Sequence, residues 1–375
     1  MTIFALIAIS MAIHSCYVGS KVLVSLYALS LGASPFTVGV LAACYAVFPL
    51  ALGVYTGRLA DSGGLRKPLM LGAVLTCGAM VTGYFSTAIG GLFAAAAMVG
   101  AGFVFFNVSI QTLAGALAKP EHRTRNFAWL TIGYSSSSLI GPVFAGFSID
   151  HFGYATTYLL LAFFPLFPIG VLIFKPQITR IRRPPPSTAK RNTLDLLRDA
   201  PLRKVILISG LSVASAELFA FYVPVYSHEI GISASVIGII LGSYALAIVL
   251  TRFMLAWIMK RLSVEQIMVW FLLLAAAAFA VFPFLTNAYA LMATAFVIGL
   301  GVGATQPILM TISYDRAPPG RTGEMTGLRL TVNNIARISM PIICGALGAA
   351  LGSAPVFWMN ALNLMTTSFL SRRRS

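Results

Sequence analysis

The chain has 375 residues, 58% of them hydrophobic and only 10% charged. A soluble chain of this length carries roughly a quarter charged residues, so there is too little charge here to cover a surface facing water, and lipid must be a large part of the solvent. The net charge of +16 is confined to short stretches between long apolar runs, so it reads as a topology signal, and no nucleic-acid partner is expected.

Windows of about 20 apolar residues, each able to cross roughly 30 Å of hydrocarbon, fall in chain order at 3–30, 36–57, 69–89, 91–117, 127–147 and 155–175, then at 205–227, 235–259, 266–285, 289–313, 325–349 and 353–370. The first is too long for a signal peptide and lacks a cleavage site, so it reads as the first membrane helix. Basic residues follow every second run: Arg58, Arg66 and Lys67; Lys119, Arg123 and Arg125; Lys175 to Lys204; Lys260 and Arg261; Arg316 and Arg321; Arg372 to Arg374. The alternate connections, near Gly32, Ile89, Asp150, Glu229, Asn287 and Gly352, contain no Lys or Arg. This positive-inside pattern predicts a multi-pass protein of the inner (plasma) membrane with both termini cytoplasmic, and its basic stretches should attract anionic lipids. Cys16, Cys44, Cys77 and Cys344 all lie inside apolar runs and read as small buried hydrophobes.

The predicted organisation is an N-terminal six-helix bundle (1–175), a cytoplasmic linker (176–203) and a C-terminal six-helix bundle (204–375). In the linker Pro184, Pro185 and Pro186 favour an extended segment, and Thr193 is placed to cap a short helix carrying Leu194, Leu196 and Leu197. The two halves repeat at an offset of 199 residues without a gap. Tyr27 falls on Tyr226, Gly32 on Gly231, Ser34 on Ser233, Gly39 on Gly238, Gly100 on Gly299, Gly102 on Gly301, Pro120 on Pro319, Pro142 on Pro341, Gly146 on Gly345 and Gly153 on Gly352. Any single glycine match is cheap, but tyrosines and prolines at one offset with one topology are not. Parallel repeats imply a pseudo-two-fold axis along the membrane normal and a cavity between the halves, the architecture of alternating access.

After the second span the chain reads GRLADSGGLRKPL, Gly57 to Leu69. This resembles the signature loop of the major facilitator superfamily, G-x-L-A-D-R-x-G-R-K, with Gly57, Leu59, Ala60, Asp61, Gly64 and Arg66 matching and Ser62 standing where a basic residue is usual. Gly57 permits close helix contact, and Asp61 can accept from backbone N–H groups at a helix N-terminus. The resemblance implies that Asp61 pins the cytoplasmic ends of the halves together in the outward-facing state. In the second half this motif has degenerated to Ala256 and Lys260, with Arg252 retained. The fifth span, GYSSSSLIGPVFAG (Gly133 to Gly146), resembles the glycine–proline motif of the family's drug and metabolite exporters through Gly133, Gly141, Pro142 and Gly146. Small residues let helices approach, and Pro142 bends the helix. The fourth span departs from the family's R-x-x-x-G-x-G pattern: Gly100 and Gly102 are present, but Ala96 occupies the arginine position, so any proton coupling must use another group. The resemblance implies an all-α membrane fold of twelve helices in two pseudo-symmetric bundles.

Ionisable groups at mid-membrane cost roughly 3 kcal/mol on insertion scales, so they should face a cavity or a partner. Glu217 is the carboxylate lying well inside an apolar run; its repeat position is 18, three residues from Lys21. In this family the first and seventh spans face each other, so Lys21 and Glu217 form either a pair broken by substrate or proton, or a static bridge. Arg329, Asn333 and Arg337 share one helical face. Arg337 suits an anionic substrate group or a carbonyl, or else packs against backbone near Pro341. Asn107 and Gln306 are equivalent in the repeat, with Gln111 one turn from Asn107; these amides are candidate substrate contacts, or bonds between helices. His14 is a ligand, a relay or a packed bundle histidine. The string GLGVG at 299–303 lies inside a membrane run with no strand before it, which rules out a nucleotide loop.

The expected function is a secondary active transporter of a small organic solute, working by alternating access. Efflux coupled to protons is the preferred mode, and uptake of an organic anion by a symporter or uniporter the alternative. An enzyme or a receptor is disfavoured, since no HExxH, G-x-S-x-G or paired His/Cys set occurs. No metal or cofactor is expected, and one copy should suffice as a monomer.

Overall fold

The computed structural model describes residues 3–63, 65–116, 123–175, 197–316 and 322–372. The described residues form α1 (Ile3–Ser30), α2 (Pro35–Gly63), α3 (Arg66–Phe85), α4 (Ile89–Ala116), α5 (Arg123–Phe174), α6 (Ala200–Glu229), α7 (Ala234–Ile258), α8 (Val264–Val281), α9 (Ala288–Gly303), α10 (Thr305–Arg316), α11 (Thr322–Leu351) and α12 (Ser353–Ser371). Among them ten helices are long and apolar enough to cross a membrane, which makes this a multi-pass helical membrane protein.

Two elements differ from the sequence-based spans. The fifth and sixth spans run on as one helix, α5, broken only at Gly153, whose φ of 76° is open to glycine at little cost. The tenth span is interrupted at Ala304. There Pro307 has no N–H to give the carbonyl four residues back, and a run of glycines offers little to hold the helix straight. With α5 divided at Gly153 and α9–α10 taken as one bent helix, the described residues form twelve rods. The helix α6 begins at Ala200, where the Asp199 carboxylate accepts from the Leu202 N–H at 3.1 Å; it therefore starts inside the predicted linker. Thr193 and its short helix lie outside the described residues.

The repeat is present in the contacts. Tyr27 donates its hydroxyl to the Ser86 carbonyl at 2.9 Å, and its repeat partner Tyr226 donates to the Leu285 carbonyl, the equivalent position, at 3.0 Å. Gly100 packs on the Tyr45 carbonyl as Gly299 packs on that of Tyr244, again equivalent positions. Between the halves the relation is reciprocal: Gly39 of α2 lies on the Pro341 carbonyl of α11, and Gly238 of α7 on the Pro142 carbonyl of α5. Gly146 meets Ala234, and Gly345 meets Pro35. These close approaches all lie at the end of the bundle opposite the basic stretches.

A contact made by Asp150 at this end has no repeat counterpart. Asp150 accepts from the backbone N–H groups of Ala234 (3.1 Å) and Ser235 (2.8 Å) and from the Ser235 hydroxyl (2.5 Å). It thus caps α7 across the interface, where the helix dipole favours an anion; the equivalent position in the second half is Ala349. Because the site is exposed, Asp150→Ala should weaken this end of the interface by about 1 kcal/mol, the usual worth of a cap. That is roughly a fivefold shift toward separation at this end, and smaller at high salt. It would be read as a broadened distance distribution between spin labels at Leu31 and Phe284; an unchanged distribution would show that the clasp contributes nothing.

Candidate functional site

The helices α1 and α6 are repeat partners, and they bring together residues 196 positions apart. Lys21 Nζ donates to Glu217 Oε2 at 3.0 Å. The other oxygen of the same carboxylate, Oε1, lies 3.2 Å from Arg337 Nε of α11, within ion-pair distance but not oriented as a hydrogen bond. One carboxylate therefore serves two cations, one from each half. Lys21 is further held by ring faces, its Nζ lying 5.0 Å from the centre of Tyr17 and 5.8 Å from that of Tyr45. The Tyr45 hydroxyl is anchored in turn on Ser20 Oγ at 3.2 Å.

Side-chain exposure falls unevenly across the cluster: 18% for Lys21, 16% for Glu217 and 42% for Arg337. Arg337 is thus the most exposed member, while the other two are screened. On the closed side Lys21, Ser25, Tyr45, Glu217, Phe221 and Pro341 line a gap of about 10 Å³, room for about one water molecule. The sequence left Arg337 between an anionic group and a backbone carbonyl; the structure sets it against Glu217.

The remaining predicted site residues fall into two other networks. Arg329 donates through Nη1 to Gln306 Oε1 at 3.2 Å and lies 3.5 Å from Ser209 Oγ, and Ser209 donates to Asn333 Oδ1 at 3.0 Å. In the first half Asn107 Oδ1 accepts from the Tyr134 hydroxyl at 2.6 Å and from Gln111 Nε2 at 3.2 Å. Asn107 and Gln306, equivalent in sequence, therefore do not share one set of contacts. His14 is packed among Tyr17, Phe103 and Tyr134, with ring centres 4.9–6.0 Å apart.

Of the predicted gate residues, Pro142 offers its carbonyl to Gly238 in the other half, whereas Gly141 packs on the Ser15 carbonyl within its own half. Arg66 opens α3 and is exposed. Gly57 and Asp61 belong to α2, but their surroundings, like Gly64, lie outside the described residues. Nearer the basic end the interface carries a polar contact between Arg252 of α7 and the Ser135 hydroxyl of α5.

Sequence reasoning missed Tyr17, Tyr45, Tyr134, Ser135, Ser209 and the Asp150 clasp. Tyrosines and serines in membrane runs are too common to single out without knowing which face they occupy. Asp150 did carry a signal: an acidic residue in a connection free of basic ones, at the depth where another helix begins.

Two homologous helical bundles meeting on a shared buried ion cluster define a carrier fold. A profile of the Major Facilitator Superfamily matches residues 2–228 and 205–373. The chain belongs to the Major Facilitator Superfamily. It is 23% identical over 360 residues to the quinolone resistance protein NorA of Staphylococcus aureus (strain MSSA476), covering 90% of this chain and 87% of that one. To the vesicular acetylcholine transporter of Torpedo marmorata it is 27% identical over 197 residues, 52% of this chain but only 37% of that protein's length. The multidrug resistance protein MdtG of Serratia proteamaculans (strain 568) matches at 22% over 249 residues, 64% of this chain and 60% of that one. Among solved structures, the peptide transporter POT in complex with sulfate superposes with a TM-score of 0.82 at 14% identity, over 98% of this chain and 93% of the other. A POT family transporter in complex with 5-aminolevulinic acid does so with a TM-score of 0.80 at 14% identity, over 98% and 94%. These likenesses speak to the fold alone.

Proposed function

We propose that this transporter exports a small organic solute across the plasma membrane in exchange for protons, with Glu217 as the coupling carboxylate. The observation that carries this reading is the shared carboxylate: Glu217 bridges Lys21 of the first half and Arg337 of the second, directly beneath the contacts that close one end. Protonating Glu217 would release both cations at once and loosen the two halves. A proton moving down the membrane potential supplies roughly 2.3 kcal/mol per 100 mV. The basic end is taken as cytoplasmic by the positive-inside rule, with both termini there. The contacts at the opposite end and the half-open Arg337 then favour an inward-facing arrangement of two bundles, 1–175 and 204–375, joined by the linker 176–203. Asn107, Gln111, Gln306 and Asn333 line the route as solute contacts, and the loop from Gly57 to Arg66 serves as the inner gate.

Efflux is favoured by the glycine–proline motif of α5 and by the names of relatives, one a quinolone resistance and one a multidrug resistance protein. Uptake of an organic anion is favoured by one feature, the two cations set against one carboxylate. Expression in a bacterium stripped of its own efflux pumps separates these. A severalfold rise in tolerance to quinolones or amphiphilic toxins, abolished by a protonophore, is the expected result. Unchanged tolerance together with new growth on a single carboxylate would overturn export.

A further inference from the structure

The helices α6 and α11 run side by side in the same direction, since Ser209 meets Asn333 and, eight residues further along α6 and four further along α11, Glu217 meets Arg337. Arg329 lies eight residues before Arg337 on α11, so its guanidinium sits about 12 Å from the Glu217 cluster along the helix axis. It is only 6% exposed. Its partners are neutral: the Gln306 amide oxygen and the Ser209 hydroxyl. Among the described residues it has no carboxylate within ion-pair distance, and both oxygens of Glu217 are already taken by Lys21 and Arg337. Two donors in this cluster, Arg329 Nε and Gln306 Nε2, are buried without a partner. Reversing the Gln306 amide does not mend this, because it would turn an NH2 group toward the guanidinium. The cluster thus has a permanent positive charge and unused donors but, among the described residues, no anion. A buried charge of this kind is normally paired, and an arginine fork suits an oxyanion.

We propose that Arg329, Gln306, Ser209 and Asn333 form a second binding site for a small monoanion, two helical turns from Glu217 toward the basic end. The shared chemistry is a compact negative acceptor, supplied either by free chloride or by the carboxylate of a solute. This site stands independently of transport direction and coupling, because it is read by binding.

The experiment follows thermal unfolding of the purified full chain at constant ionic strength, as a bulky sulfonate buffer is replaced by chloride, formate or acetate. Saturable stabilisation is expected in the unaltered protein. Arg329→Gln should weaken the apparent affinity at least about tenfold, and Arg329→Lys should retain part of it. Because Arg329→Gln can fail by misfolding, Gln306→Glu supplies a second reading: a fixed carboxylate beside the guanidinium should raise the melting temperature without added anion and remove the response. A response to chloride alone identifies an inorganic ion as occupant; competition by carboxylates over chloride identifies a solute head group. No saturable response in the unaltered protein, or one left intact in Gln306→Glu, would overturn the site and leave water as the missing partner.

Discussion

Glu217→Gln is expected to cut gradient-driven transport on the order of a hundredfold while leaving the protein in the membrane. The substitution keeps the shape of the side chain but removes the negative charge, so Lys21 and Arg337, which approach its two oxygens at 3.0 and 3.2 Å, face each other without a counter-ion. Breaking a buried pair by removing one partner costs roughly 3–5 kcal/mol. The lower end applies here, because the 42% exposed Arg337 side chain can recover some hydration, and about 3 kcal/mol corresponds to the hundredfold factor. If Glu217 is the coupling group, the variant also loses the dependence of transport on pH, since the remaining cluster has no carboxylate to titrate, yet it can still exchange solute down its own gradient. The measurement is uptake into proteoliposomes with and without an imposed pH gradient, compared across pH. Unchanged transport with unchanged pH dependence would remove the coupling role and leave a static bridge.

Much of the fold was legible because membranes restrict the alternatives. Apolar runs of span length separated by connections alternately basic and free of Lys and Arg admit few readings, and the 199-residue offset carried the symmetry with them. Gly39, Pro142, Gly238 and Pro341 stood out as repeat partners, and the structure gives the reason: each glycine of one half seats the carbonyl of a proline in the other. The Lys21–Glu217 contact was legible for a related reason, since equivalent helices face each other and charges within a turn of equal depth can meet. Arg337 was only half legible. Its face on α11 was clear, but which of several neighbours it met depends on rotation between α6 and α11, which no periodicity encodes. The run across Asp150 misled, because a connection free of Lys and Arg was placed there, while the helix continues to Gly153 and uses Asp150 to cap α7. The break at Ala304 was available from Pro307 and its glycines, but the apolar run across it masked the signal.

Gly238→Leu, and equally Gly39→Leu, should abolish measurable transport by preventing closure at the end opposite the basic stretches. A Cβ at Gly238 would sit 2.6 Å from the Pro142 carbonyl oxygen, and backbone on both sides leaves nothing flexible to yield. Extra methylenes forced into a packed contact cost about 1–3 kcal/mol even where side chains can adjust, so a leucine against a carbonyl falls at or above the upper figure. A penalty of about 3 kcal/mol on one state alone moves a two-state equilibrium by more than a hundredfold. The bundles themselves should stay folded, because the contact lies between them and Gly100 and Gly299 still pack within each half. Labels at Leu31 and Phe284 should therefore move apart, and Gly90→Leu, where an added Cβ meets nothing within 4 Å, should transport normally. A Gly238→Leu protein that transports at the unaltered rate would show that closure does not pass through these crossings at all.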